Sequence, residues 1–232
     1  MATVETYALP TWLYRFRSLS GRGQKSGLNE TKLERELEAI EQGYVYCATY
    51  RDMNDPMEGF YRTSGLLRTK EGYDEFSRSV LTDKLSLGIA SFTESWRNEI
   101  MWAHYADGFQ GICIAYKFEK LIGTLDVNCS ISKMSYLDQP YYLNERSGSG
   151  GSNHAKAILS TKNLKWAYER EWRLFAPQSG KIRYGASVVP TIFLGMRIDK
   201  GIRKSISDRL SRRGITAKII SANGYSLRDE IL

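Results

Sequence analysis

The sequence predicts a mixed α/β or α+β fold rather than a regular doubly wound sheet, because strand-like and helix-like segments alternate irregularly along it. Its 232 residues can bury a sizeable core, with the apolar and charged fractions (42% and 25%) of an ordinary globular protein. A single domain over 1–232 is therefore expected, with a flexible loop at 142–153 where Gly, Ser and Asn accumulate. No internal repeat or low-complexity tract is present.

Trp12–Phe16 reads as a first short strand, followed by a Gly/Ser/Lys loop from Gly21 to Asn29. Thr31 resembles an N-cap with Glu34 three residues on, and Leu33, Leu37 and Ile40 keep helical spacing until Gly43. Tyr44–Ala48 is the next strand, and Tyr50–Gly59 a loop. A helix over Tyr73–Thr82 then leads to a strand over Leu85–Phe92. Ser95 is placed to cap a helix ending near Tyr105, and Gly111–Tyr116 is a strongly apolar strand. Further strands fall at Ile131–Leu137, Glu171–Ala176, Val188–Leu194 and Ala217–Ser221, with a helix at His154–Trp166. Ile202, Ile206 and Leu210 mark the apolar stripe of a last helix between Asp199 and Gly214, and its other face is rich in Lys and Arg.

The composition narrows the setting. The N-terminal segment lacks a basic region followed by an apolar run, and no stretch is long and apolar enough to span a bilayer, so a cytoplasmic protein with no membrane partner is expected. Three cysteines without paired spacing argue for buried thiols over disulfides or a zinc site. A net charge of +7 suits an anionic partner such as a nucleotide or nucleic acid. No helix-turn-helix, zinc-finger or basic-zipper pattern is present, and Gly21-Arg22-Gly23 lacks the context of a phosphate loop.

Four groups of residues carry possible chemistry. On strand geometry Glu169, Glu171 and Arg173 share one face; the carboxylates can orient a hydroxyl or act as a base, or Arg173 can simply neutralise one of them. Asn54-Asp55-Pro56-Met57-Glu58 is a turn whose Asp55 and Glu58 are weak metal candidates. Ser91 and Thr93 close a strand beside a helix bearing Trp102, His104 and Tyr105, which form either a stacking platform or a core stripe. Arg15 can hold a phosphate or face solvent, and the basic face of the last helix is a nucleic-acid contact or a solvated surface.

Together Tyr14-Arg15-Phe16, Asn54–Glu58, Ser91-Phe92, Met101–Ala106 with Gly111, and Trp166–Arg173 resemble a bacterial domain-of-unknown-function family, number 2971, over roughly Leu13–Phe175. The order of elements is in turn similar to the ADP-ribosyltransferase fold. That resemblance implies a mixed, mostly antiparallel split β-sheet flanked by helices, with NAD as substrate. It implies Arg15, Ser91 and Thr93 on the NAD side of the site, with Trp102 or Tyr105 stacking on nicotinamide. Glu171 or Glu169 would be the catalytic carboxylate, with His104 beside it, and no metal. By analogy with related toxins, the expectation is a toxin or phage-defence effector modifying a nucleic-acid or protein acceptor. The alternatives are a non-catalytic nucleic-acid- or protein-binding module of a defence system, and a metal-dependent nuclease built on Asp55, Glu58 and the late glutamates.

Overall fold

The computed structural model describes residues 9–20, 29–144 and 151–232. In chain order it begins with β1 (Trp12–Arg17), α1 (Glu30–Gln42), β2 (Tyr44–Cys47), β3 (Tyr61–Thr63), α2 (Gly65–Arg68), α3 (Tyr73–Ser86) and β4 (Gly88–Thr93). Next come α4 (Glu99–Tyr105), β5 (Ile112–Lys117), α5 (Phe118–Ile122), β6 (Ser130–Lys133), β7 (Ser135–Leu137) and β8 (Tyr141–Leu143). The chain closes with α6 (Gly151–Leu159), β9 (Thr161–Asn163), β10 (Glu171–Ala176), β11 (Gly180–Arg183), β12 (Thr191–Leu194), α7 (Lys200–Ser211), β13 (Thr216–Asn223) and β14 (Ser226–Ile231). This is the expected α+β class, with mostly antiparallel strand pairing and flanking helices.

Two compact units form. One gathers the residues up to Tyr44 with Thr93–Leu125 and Arg183–Leu232, and the other gathers Val45–Phe92 with Asp126–Ile182. In the first unit the strands run in the order β14-β13-β12-β5-β1. β5 lies antiparallel to both β1 and β12, and β12 lies parallel to β13. Ile112 to Tyr116 of β5 are all buried, which explains why this strand reads as an unbroken apolar run rather than an alternating one. Helices α4, α5 and α7 pack on β1, β5 and β13 respectively. Gly111 opens β5 because a Cβ there would lie 2.3 Å from the carbonyl oxygen of Arg17.

The second unit contains the strand order β4-β10-β6 and three two-stranded ladders, among them the parallel pairs β3 with β8 and β7 with β9. Helices α3 and α6 pack on each other over Val80, Leu143 and Ile158. A second cluster, Leu87, Ile89, Ala155, Leu159 and Phe175, lies beneath Tyr50 and Met53. All three cysteines are free; Cys47 and Cys113 are buried and Cys129 is half-buried.

Several boundaries differ from expectation for local reasons. Asn29, not Thr31, caps α1 by accepting from the N–H of Lys32, and Gly43 ends it in the left-handed region at φ 66°. Asn98, not Ser95, caps α4, while Ser95 accepts from the N–H of Arg97. Helix α3 continues through Ser86 instead of yielding to a strand at Leu85, because Lys84 extends its buried stripe and donates to the carbonyl of Gly59 at 2.6 Å. The Ile131–Leu137 run breaks at Met134, whose N–H turns to the carbonyl of Glu171; β6 pairs with β10 and β7 with β9. The helix expected to reach Trp166 stops at Leu159, and Thr161–Asn163 forms a strand.

Of the loop expected at 142–153, Tyr142 and Leu143 are in β8 and 151–153 begin α6, while 145–150 lie outside the described residues. Most of the Gly21–Asn29 loop, 21–28, also lies outside them. Among the described residues, no helix is long and apolar enough to cross a membrane.

Candidate functional site

The second unit contains a buried charge cluster built from five side chains. β10 supplies Glu171 and Arg173, the 3₁₀ segment Leu164–Glu169 supplies Glu169, β9 supplies Lys162, and the turn after Asp55 supplies Glu58. Each of the five side chains is at most 7% exposed.

Arg173 is the hub. Its Nε donates to Oε1 of Glu171 at 2.7 Å and one terminal nitrogen donates to Oε2 of the same carboxylate at 3.2 Å, a two-point clasp. The other terminal nitrogen donates to Glu58 and to the carbonyl of Leu159, each at 2.6 Å. Lys162 then donates to Glu169 at 2.5 Å and to Glu171 at 3.3 Å, with its ammonium 4.7 Å from the centre of the Trp166 ring. Three carboxylates thus face two cations, leaving one negative charge in excess when all are ionised.

Local backbone geometry produces this convergence. Glu169 is not part of the strand as expected; it ends the 3₁₀ segment, and Arg170 follows in the left-handed region at φ 46°. For a residue with a Cβ this conformation costs roughly 1–2 kcal/mol. The turn brings Glu169 and Glu171 to the same ammonium, and strain of this kind is concentrated at functional sites. The N–H of Glu171 is taken by the Tyr136 hydroxyl at 2.7 Å.

Burial opposes ionisation of Glu171, but the charges of Arg173 and Lys162 and hydrogen bonds from Arg173 and the Ser91 hydroxyl outweigh it, holding the carboxyl well below the usual range. Burial likewise works against the Lys162 ammonium, yet Glu171 and Glu169 raise its pKa above the ordinary lysine value. Both groups stay charged at neutral pH. A cleft bordered by Asp55, Glu58, Phe60, Gln139, Thr161 and Lys162 opens beside the cluster.

Of the residues singled out in the sequence, Ser91, Glu169 and Glu171 come together here. Thr93, Arg15, Trp102, His104 and Tyr105 belong to the first unit. Arg15 lies opposite Ile114 in the β1–β5 ladder, half-buried, and its charge helps lower the pKa of Glu36 on α1. Thr93 is buried opposite Tyr14. Trp102 is a core residue: fully buried, it donates to the carbonyl of Trp96 at 2.7 Å, and its ring stacks on Phe109 and meets Phe16 edge-on. His104 is exposed and Tyr105 half-buried on α4.

Asp55 accepts from the N–H of Met57, as its turn chemistry requires, and Glu58 is committed to Arg173. Among the described residues no group of three or more His, Cys, Asp or Glu side chains is arranged to hold a metal ion. On α7, Arg209 is held by Glu34 and Glu41 of α1, which interrupts the expected basic face. Lys162 was not foreseen. It falls inside the helix expected over His154–Trp166, where a lysine gives no hint of burial.

Residues 101–174 match the model of a family described as a protein of unknown function (DUF2971), in keeping with the resemblance drawn from the sequence motifs. The matched segment includes Lys162, Glu169, Glu171 and Arg173. No curated protein and no solved structure matches the chain.

Proposed function

We propose that the protein transfers ADP-ribose from NAD to a nucleic-acid or protein acceptor, with Glu171 as the catalytic carboxylate and Ser91 as its brace. One observation carries the reading: the Ser91 hydroxyl on β4 hydrogen-bonds the Glu171 carboxylate on the neighbouring strand β10. The resemblance implies that Ser91 braces the nicotinamide-ribose side of the site and that a late glutamate orients a ribose hydroxyl, and this contact supports giving that role to Glu171 rather than Glu169.

The chemistry follows from charge. The bond between ribose C1′ and the nicotinamide nitrogen breaks, and its electron pair leaves with nicotinamide. Positive charge then develops on the ribose, and a preorganised carboxylate stabilises it more in the transition state than in the ground state. An acceptor oxygen or nitrogen forms the new bond to C1′ and releases its proton to water. The excess negative charge of the cluster favours this step. Glu171 is sealed, so substrate entry on this reading displaces Glu58 from Arg173 and opens the floor of the cleft.

A second reading has its own support. Both oxygens of Glu171 are occupied by Arg173 and Lys162 and the carboxylate is buried, as befits a structural strut in a non-catalytic binding module. Nicotinamide release by the purified protein separates the two, measured with and without added nucleic acid. The transferase reading expects release, lost in Glu171→Gln, and NAD binding retained by Ser91→Ala. No release and no NAD binding under any condition would leave the strut.

A further inference from the structure

The second unit bears a second concavity, an open groove of about 880 Å³ including the solvent at its mouth, bordered by Phe60, Tyr61, Arg62, Arg68, Tyr73 and Tyr142. We propose that this groove binds single-stranded nucleic acid, with bases stacked on Phe60 and Tyr142 and phosphates held by Arg62 and Arg68.

The β3–β8 ladder builds the platform. It pairs Arg62 with Tyr142, and both side chains are exposed, whereas Tyr61, Thr63, Tyr141 and Leu143 on either side of them are half-buried or buried. The strand period of two therefore puts the guanidinium and the phenol ring together on the outer face. Phe60 adds a ring that is 55% exposed beside Tyr142 at 54%, a large aromatic area to leave in water. Tyr61 is the floor, with Lys84 5.2 Å from its ring centre. The Thr63 hydroxyl lies 3.3 Å from that of Tyr73 and accepts from Nε of Arg68 at 2.7 Å, which fixes the Arg68 fork at the rim.

Charge identifies the occupant. The lining holds two guanidinium groups and no carboxylate, and neither arginine makes an ion pair among the described residues. This contrasts with α7, where Arg209 is already held by two glutamates. Exposed rings interleaved with arginines that no carboxylate neutralises match a chain that alternates flat bases with phosphates, and a ring can stack only on a base that is not paired in a duplex.

The groove also borders the cleft beside Glu58 and Lys162, because Phe60 lines both. A strand bound here would present a base or sugar to that cleft as the acceptor; this last step rests on the transferase reading, whereas binding itself does not.

The test is fluorescence anisotropy with a labelled single-stranded DNA of about 12 nucleotides, the RNA of the same sequence and the corresponding duplex, all without NAD. Binding of DNA or RNA single strands in preference to duplex is expected, the two single-strand arms telling which polymer is bound. Phe60→Ala and Tyr142→Ala, both at exposed positions, should each weaken binding by about 5- to 100-fold with an unchanged melting temperature. Arg62→Ala should reduce the slope of log affinity against log salt by about 0.7. No single-strand binding at low salt, or binding that is equal for duplex and unaffected by the aromatic substitutions, overturns the proposal. Because NAD is absent, failure of the transferase reading would leave this result standing, and the reverse.

Discussion

Two arginines in this protein each hold two glutamates, and they do so in opposite surroundings. Arg209 on α7 reaches Glu34 and Glu41 with its own side chain 32% exposed and Glu34 62% exposed. Arg173 on β10 reaches Glu171 and Glu58 with every side chain at 4% exposure or less. The distances are alike, 2.6 to 2.8 Å in both clusters. Geometry is therefore not what separates them. Water screens the first cluster, so it contributes little and is replaceable; without water, each charge in the second depends on the others.

The largest expected difference comes from removing the hubs. Arg173→Met leaves Glu58 buried without its cation and Glu171 with Lys162 alone, and should cost about 3–5 kcal/mol in urea unfolding, enough to prevent folding in a marginal protein. A cost below about 1 kcal/mol would mean that water reaches the cluster.

Acid comes next. The folded pKa of Glu171 lies below its ordinary value of 4.5, so its stabilisation is complete above that value and is lost as pH falls through the folded pKa. Wild-type stability should therefore decline as the pH drops below about 4.5. Glu171→Gln should be less stable at neutral pH and decline less. Equal slopes for the two proteins would show that Glu171 is not held ionised.

The exposed cluster gives the smallest effect. Arg209 lowers the Glu41 pKa through their hydrogen bond, in the same direction, but solvent discounts the benefit. Arg209→Ala should cost at most about 1 kcal/mol, and that cost should shrink further in high salt. A larger, salt-independent loss would erase the distinction between the two clusters.

The contrast also sets what the sequence can reveal. Glu171–Ala176 was legible as a strand with the bounds observed, because Trp172, Leu174 and Phe175 are apolar and β-favouring between polar flanks. Gly43 was legible as a helix stop, since the left-handed region is its ordinary place. Strand β14 was not, because its sequence Ser-Leu-Arg-Asp-Glu-Ile is mostly exposed and is held by pairing with β13 rather than by an apolar face. Lys84 falls between the expected helix and strand and is instead buried against Tyr50 and Tyr61, a tertiary outcome that overrides local polarity.

For the site, a Glu–Arg alternation at 169–173 was visible, and so was the option that Arg173 neutralises a glutamate. The partners Lys162 and Glu58 were not, because they meet β10 only through the fold; Glu58 lies 115 residues away along the chain. The motif at Asp55–Glu58 is legible as a turn, with metal binding only a weak option. Its second carboxylate is in fact the counter-charge of a distant arginine.

The most direct measurement is the rate of nicotinamide release from NAD by wild type, Ser91→Ala and Arg209→Ala at matched folded fraction, each with the single-stranded oligonucleotide present. Loss of the hydrogen bond to a charged group should slow Ser91→Ala by about 10-fold or more, while Arg209→Ala turns over at the wild-type rate. Release that is absent in all three proteins, or unchanged in Ser91→Ala, would contradict the account and leave the buried cluster as a strut.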